Sequence, residues 1–296
     1  MVVGHPVVWM GWLIDRLDGT LNGDSTAPAT RRRNGFLTLV FLLLVTLAPS
    51  VALAAICREL PYGFVLEALL ATPFLAQKEL GRAVRAVADA LEHSLPSGRI
   101  AVRGIVGRDP DALDEAGVSR AAIESLAENS SDGVIAPLFW LLIFGLPGIA
   151  VYKAVNTADS MIGHLNDRYR DFGWASARLD DLVNWIPARI TGVLMVAACF
   201  LTSGASARAA WNTMLEDAGK HDSPNAGWPE AAMAGALGFS LGGPRSYDGK
   251  MHELPSLGGG NNKLGPDDIR KALDLYGNML NIALGICVAL SVLVWA

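Results

Sequence analysis

The chain has 296 residues, of which 51% are hydrophobic and 18% charged, and its formal net charge is −5. Charged residues fall well below the quarter found in ordinary soluble domains, so the composition indicates a membrane protein. A mildly acidic balance gives no basis for a nucleic-acid partner. Cys57, Cys199 and Cys287 sit in apolar runs without metal-ligand spacing and read as buried thiols.

Val2–Leu17 begins apolar and ends in charges. Pro6 biases His5 toward extended backbone, and Trp9 and Trp12, three apart, suit an interfacial helix. His5 is either an interfacial side chain or a contributor to a site. Residues 19–34 form a polar loop. Phe36–Ile56 has the ~20 apolar residues needed to cross hydrocarbon. Arg31, Arg32 and Arg33 before it favour a cytoplasmic N-terminal side, and the run is too long and too far in for a signal peptide. Tyr62–Ala76 is expected to return across the membrane, with Glu67 needing a partner or a watery cavity. In Lys78–Arg120, Leu80, Val84, Val87 and Leu91 mark the buried face of an amphipathic helix whose polar side carries Lys78, Arg82 and Arg85. Arg108-Asp-Pro is turn chemistry, and Ser119 is the expected N-cap of the helix bearing Glu124 and Glu128.

Glu124–Arg189 carries the richest chemistry. Glu124, Glu128 and Asp132 recur every fourth position, so one helix face would hold three carboxylates, whose repulsion a cation would offset. Lys153, Asn156 and Ser160 form a second stripe, with Asp159 and His164 nearby. Asp180 and Asn184 form a third, flanked by Arg178 and Arg189. Solvated helix faces with internal salt bridges would explain each stripe singly. The insert Val134–Val151 is apolar but broken by Gly145-Leu-Pro-Gly148. A straight crossing would separate Lys153 from Asp132 by the full membrane thickness. The break therefore predicts a helical hairpin that dips in and returns. Ile190–Ser203, at about 14 residues, is short for a span; if it also fails to cross, His221 to Asn225 lie on the same side. Ala205–Tyr276 is Gly-rich and Pro-broken. Pro229–Leu237 is expected to be a short, closely packed helix. Gly242-Gly-Pro and Gly258-Gly-Gly read as turns, with phosphate wrapping by backbone N–H groups as the sharper alternative. Tyr276–Trp295 is the last span. Fold class is thus all-α: a polytopic membrane bundle with re-entrant or short buried helices and a cytoplasmic helical and loop region, in one membrane-embedded domain.

Five blocks carry a family resemblance: HPVVWMG; AEN-x-x-DG-x-IAP; YK-x-x-NT-x-DSMIGH; AR-x-DD-x-x-N-x-x-PAR; and HDSPNAGWPEAAMAGALG with LGGPRSYDG. In this order, over nearly the whole chain, they resemble the CobD/CbiB family of cobalamin biosynthesis. Ahead of the His-Pro block, members commonly carry an Asp-Pro-bearing segment that has no counterpart here. The resemblance implies an integral protein of the bacterial inner membrane, with its site facing the cytoplasm. It would join adenosylcobyric acid to 1-amino-2-propanol or its phosphate, using ATP. Partners implied are the corrinoid, the amino alcohol and the lipid bilayer; further copies of the chain or other cobalamin-pathway enzymes are open. Amide formation from a carboxylate needs activation, and Mg2+ bridging the ATP phosphates takes one or two carboxylates; Glu124, Glu128 and Asp132 are the candidates. Lys153, Arg178 and Arg189 suit phosphate or carboxylate. His221, His164 or Asp159 could accept the amine proton. His5, Asn129, Asn156, Asp181, Asn184, Ser223 and Asn225 complete the expected substrate contacts, and Asp132, Lys153, Asp159 and His221 the catalytic set. A non-enzymatic membrane sensor of the related AmpE type, or a corrinoid transport component, is the competing class.

Overall fold

The computed structural model describes residues 5–295 except 107–109, 244, 248–249 and 253–254. Arg108 and Pro244 of the two predicted turns therefore lie outside the described residues. In chain order the helices are α1 (Pro6–Leu21), α2 (Pro28–Glu59), α3 (Gly63–Ala71), α4 (Gln77–His93), α5 (Leu95–Arg103), α6 (Glu115–Ser130), α7 (Ala136–Ile162), α8 (Trp174–Ala198), α9 (Ala207–Asp217), α10 (Gly227–Leu237) and α11 (Pro266–Trp295). Two short antiparallel strand pairs interrupt this all-α pattern. β1 (Leu241–Gly242) pairs with β4 (Ser256–Leu257), and β2 (Arg245–Tyr247) with β3 (Lys250–His252). Among the described residues, four segments are long and apolar enough to cross a membrane: Pro28–Glu59, Glu115–Ile162, Trp174–Leu201 and Pro266–Leu293. The chain divides into two compact units, residues 1–76 with 132–184 and residues 77–131 with 185–296.

The first unit holds α1, α2, α3, α7 and the start of α8. His5 is extended, as Pro6 requires, and its Nδ1 accepts the Val7 N–H, so His5 caps α1. α2 buries Leu39, Leu42, Ala54 and Cys57, while Phe36, Phe41, Leu44, Val51 and Ile56 stay exposed. Apolar residues on all sides suit a helix sheathed by lipid. α3 corrects the expected second crossing. Its nine residues reach only about 13 Å at 1.5 Å per residue, against ~30 Å of hydrocarbon. The reversal into it is tight: Tyr62 takes φ 59°, and Gly63 lies on the Cys57 carbonyl with no room for a side chain. Met10, Ile14, Leu42, Phe74, Ile149 and Phe172 anchor the core of this unit.

In the second unit, α4 buries Leu80, Val84, Val87 and Leu91 and exposes Lys78, Arg82 and Arg85, as its periodicity predicts. Arg270 of α11 reaches Asp89 at 3.2 Å and Glu92 at 2.6 Å on α4, and the Tyr276 hydroxyl donates to the Gln77 carbonyl. α6 starts earlier than expected. Asp114, accepting the Gly117 N–H, is its N-cap, and Ser119 is buried inside the helix. α9 and α10 pack so closely that a β-carbon on Gly235 would meet the Ala209 carbonyl at 2.6 Å. The short apolar run from Ile190 is not a separate element. It is the latter part of α8, which has 25 residues and begins at Trp174. The final span likewise starts ten residues before Tyr276, at Pro266.

Candidate active site at a helical hairpin

The insert after Asp132 turns back on itself. Ser131–Ile135 forms a π turn between α6 and α7, a local widening often found at functional sites. Two of its carbonyls are bonded from outside the helix: Asp132 by the Tyr152 hydroxyl at 3.0 Å, and Gly133 by the Ala76 N–H at 2.9 Å. α7 then breaks at Gly145, with φ 65° and ψ −152°, a region open essentially to glycine alone. Pro147 follows in the first turn of the second arm, where a missing N–H costs nothing. Glu67 answers the question its position poses. Its carboxylate accepts the Leu146 N–H at 2.9 Å and caps that arm.

The Tyr152–Asp132 bond decides the geometry. Twenty residues of straight helix would hold these two about 30 Å apart; they are in hydrogen-bond contact. Gly148 is seated against the Trp140 carbonyl, eight positions earlier, again a contact only a reversal allows. Length and apolarity make Glu115–Ile162 a crossing candidate, but residues 136–144 and 146–162 are the two arms of a hairpin.

The hairpin brings the second stripe to Asp132 and to the third stripe. Lys153 is half-buried; its Nζ donates to Asn156 Oδ1 at 3.0 Å, and Asp132 and Asp180 are the anions bearing on it. From α8, Asn184 is buried, accepts the Tyr152 hydroxyl at 2.8 Å and donates to Asp180 Oδ2 at 2.9 Å. Asn156 is the other polar neighbour of Asp180, and Asp159 lies close to Asp180, Asp181 and His164. Asp132, Lys153, Asn156, Asp159, Asp181 and Asn184 therefore converge. Arg178, exposed, approaches Asp181 at 3.9 Å, and His164 is exposed beside the Tyr169 ring. His5 lies elsewhere, on the rim of an apolar cavity of about 760 Å³ lined by α1, α2 and α3.

Two residues of this cluster were not among the expected contacts. Tyr152 is the hub joining Asp132 and Asn184, and its only sequence signal is its place beside Lys153. Asp180 is the buried member of the Asp-Asp pair, whereas Asp181 was the one expected. A further network was missed altogether. Buried Asp18 takes bonds from Asn22 at 2.8 Å, Arg168 at 2.6 Å and Tyr169 at 3.3 Å. The i, i+4 spacing of Asp18 and Asn22 was the available clue.

The remaining candidates belong to the second unit. Glu124 is buried and accepts the Gly242 N–H at 2.7 Å, while Glu128 is exposed. The fourfold register that linked both to Asp132 ends at the π turn. Among the described residues no group of three or more His, Cys, Asp and Glu side chains is placed to hold a metal ion. Asn129 donates to Ser125 on its own helix. Arg189 lies between two indoles, its guanidinium 4.0 Å from the Trp185 ring and 4.4 Å from the Trp228 ring. His221 Nδ1 accepts the Ser223 N–H at 2.9 Å, so its proton sits on Nε2, which faces buried Glu230 at 3.5 Å. Both ring nitrogens of His221 thus face protein groups, and the side chain braces a turn. Ser223 Oγ accepts the Asn225 and Ala226 N–H groups, and Asn225 is buried. The glycine turns are also committed. Glu124 takes the Gly242 N–H, and Asp217 the Gly258 N–H at 2.7 Å; carboxylates there would repel a phosphate.

Comparison with known proteins agrees with the block order. The family model described as CobD/Cbib protein matches residues 2–276. A curated protein of Brucella suis biovar 1 (strain 1330), named Cobalamin biosynthesis protein CobD, is 49% identical over 296 residues, spanning 98% of this chain and 90% of its own. Proteins of the same name from Rhodobacter capsulatus and Rhizobium meliloti (strain 1021) are 50% and 48% identical, spanning 93% and 86% of this chain and 85% and 78% of their own. No solved structure matches.

Proposed function

The chain belongs to the CobD/CbiB family of cobalamin biosynthesis, and from that premise we propose that it is an ATP-dependent amide ligase. It would join the free propionate carboxylate of adenosylcobyric acid to 1-amino-2-propanol or its phosphate, from the cytoplasmic face of the bacterial inner membrane. The observation that carries this reading is the hairpin, whose fold gathers a lysine, four aspartates and two amides from three sequence blocks in one partly buried cluster. Ionisable groups beside hydrocarbon are costly and mark function by default.

The chemistry assigns roles to that cluster. Transfer of the ATP γ-phosphate to the corrinoid carboxylate gives an acyl phosphate and ADP. Attack by the amine nitrogen on the acyl carbon then expels phosphate and leaves the amide. Lys153 is the cation of the cluster, suited to a phosphate. Asp159, half-buried and next to Asp180, is the base for the amine proton in place of His221. Mg2+, when bound, would supply positive charge to the phosphates and needs only one or two carboxylates; Asp132 would provide one. Asn156 and Asn184 hold the cluster in register, as prearranged groups must for charge stabilisation.

Purified protein incubated with adenosylcobyric acid, the amino alcohol phosphate and Mg-ATP is expected to yield adenosylcobinamide phosphate and ADP. Lys153→Ala should lower turnover at least about 100-fold, the scale of losing one charge-stabilising group, with membrane expression unchanged. Intact reactants in the presence of folded wild-type protein would refute the ligase reading and favour a sensor or transport role.

A further inference from the structure

Ser176, Asp180 and Asn184 recur every fourth residue on α8 and so share one face. All three are at least nine-tenths buried, at 0%, 8% and 1% exposure. Asn184 is fully engaged with Tyr152 and Asp180 Oδ2. Among the described residues, Asp180 Oδ1 and Ser176 Oγ receive no hydrogen bond of acceptable geometry, although the Asn156 side chain lies beside Asp180. A buried carboxylate oxygen without a donor is costly. Two such atoms on successive turns of one face mark a place where a donor belongs.

The surroundings define the donor's chemistry. Asp159 and Asp181 are the near anions of Asp180, so an anionic group would be repelled. A bare metal ion is disfavoured because, among the described residues, these acids do not converge as a ligand set. A primary ammonium has what the position lacks: positive charge and three N–H donors in tetrahedral array. Lys153, hydrogen-bonded to Asn156 on the facing arm of α7, offers the opposite charge a few residues away. The cluster thus matches a short molecule with a cation at one end and an anion at the other.

We propose that Asp180, backed by Ser176 and Asp159, is the subsite that takes the ammonium end of the amino alcohol, with Lys153 reading its phosphate. This rests on the ligase reading for the identity of the substrate.

Calorimetry on the full-length protein in nanodiscs, without ATP or corrinoid, separates this proposal from the ligase reading. The probes are 1-amino-2-propanol O-phosphate and its des-amino analogue, isopropyl phosphate. Wild-type protein should prefer the amine by about tenfold or more, the worth of a charge-assisted hydrogen bond. Asp180→Asn should reduce that preference to about twofold or less while binding isopropyl phosphate as wild type does. Asp159→Asn and Ser176→Ala, tested alongside, should each weaken the preference in part, so a misfolded Asp180→Asn does not end the test. Equal binding of both probes by wild type, or an unchanged preference in Asp180→Asn or in both companion variants, overturns the subsite and leaves ordered water as the occupant. A ligase that fails in turnover yet discriminates between the probes would refute the reaction and keep the subsite.

Discussion

Gly148→Ala is the sharpest test of the hairpin, because the two geometries predict opposite signs. In a continuous helix, replacing glycine by alanine stabilises by about 1 kcal/mol. Here a β-carbon on Gly148 would overlap the Trp140 carbonyl oxygen and come within 2.7 Å of Phe144 Cβ. The first of these is backbone and cannot swing aside, so the arms must part. Overpacking of that kind costs typically about 1–3 kcal/mol. The upper half of that range applies to a backbone clash, leaving a net loss of about 1–2 kcal/mol after the helix-propensity gain. Parting the arms also strains the Tyr152–Asp132 bond on which the site depends. Gly277 of α11 is the control, since nothing lies within 4 Å of the place a β-carbon would occupy there; Gly277→Ala should gain up to ~1 kcal/mol. Denaturant titration in mixed micelles, followed by circular dichroism, measures both. A Gly148→Ala protein as stable as wild type or more so, with the Gly277 control behaving as stated, would mean that the arms do not meet.

Glu67→Ala removes the cap of the second arm and should cost about 1–2 kcal/mol in the same titration, whereas Glu67→Gln, which keeps an acceptor for the Leu146 N–H, should recover most of it. Glu92 is held below the usual carboxylate range, first by its hydrogen bond from Arg270. A depressed folded-state pKa stabilises above the unfolded value and the contribution is lost as pH falls through the folded one. Wild-type protein should therefore lose stability below about pH 4.5 more steeply than Glu92→Gln, read as the denaturant midpoint against pH.

The apolar runs, their lengths and their polar borders are properties of the chain itself, because burial in lipid demands about twenty apolar residues whatever the neighbours do. α2 and the last span followed from that alone, and so did the buried face of α4, since helical periodicity is local. The reversal at Gly145 was also legible, because Gly145-Leu-Pro-Gly148 crowds turn residues together inside an apolar segment. The partners of the polar groups were not legible. Glu124 and Asp132 carry the same charge at helical spacing, yet one is spent on the Gly242 amide and the other sits beside Tyr152, because a π turn ends the register between them. The Ser223 N–H on His221 Nδ1 is likewise visible only in the fold. Asp180 and Asp181 are adjacent letters, but the roughly 100° between neighbours on α8 buries one and half-exposes the other. Which of two equivalent side chains reaches a buried partner depends on contacts formed between segments distant in the chain, and only the folded structure settles those.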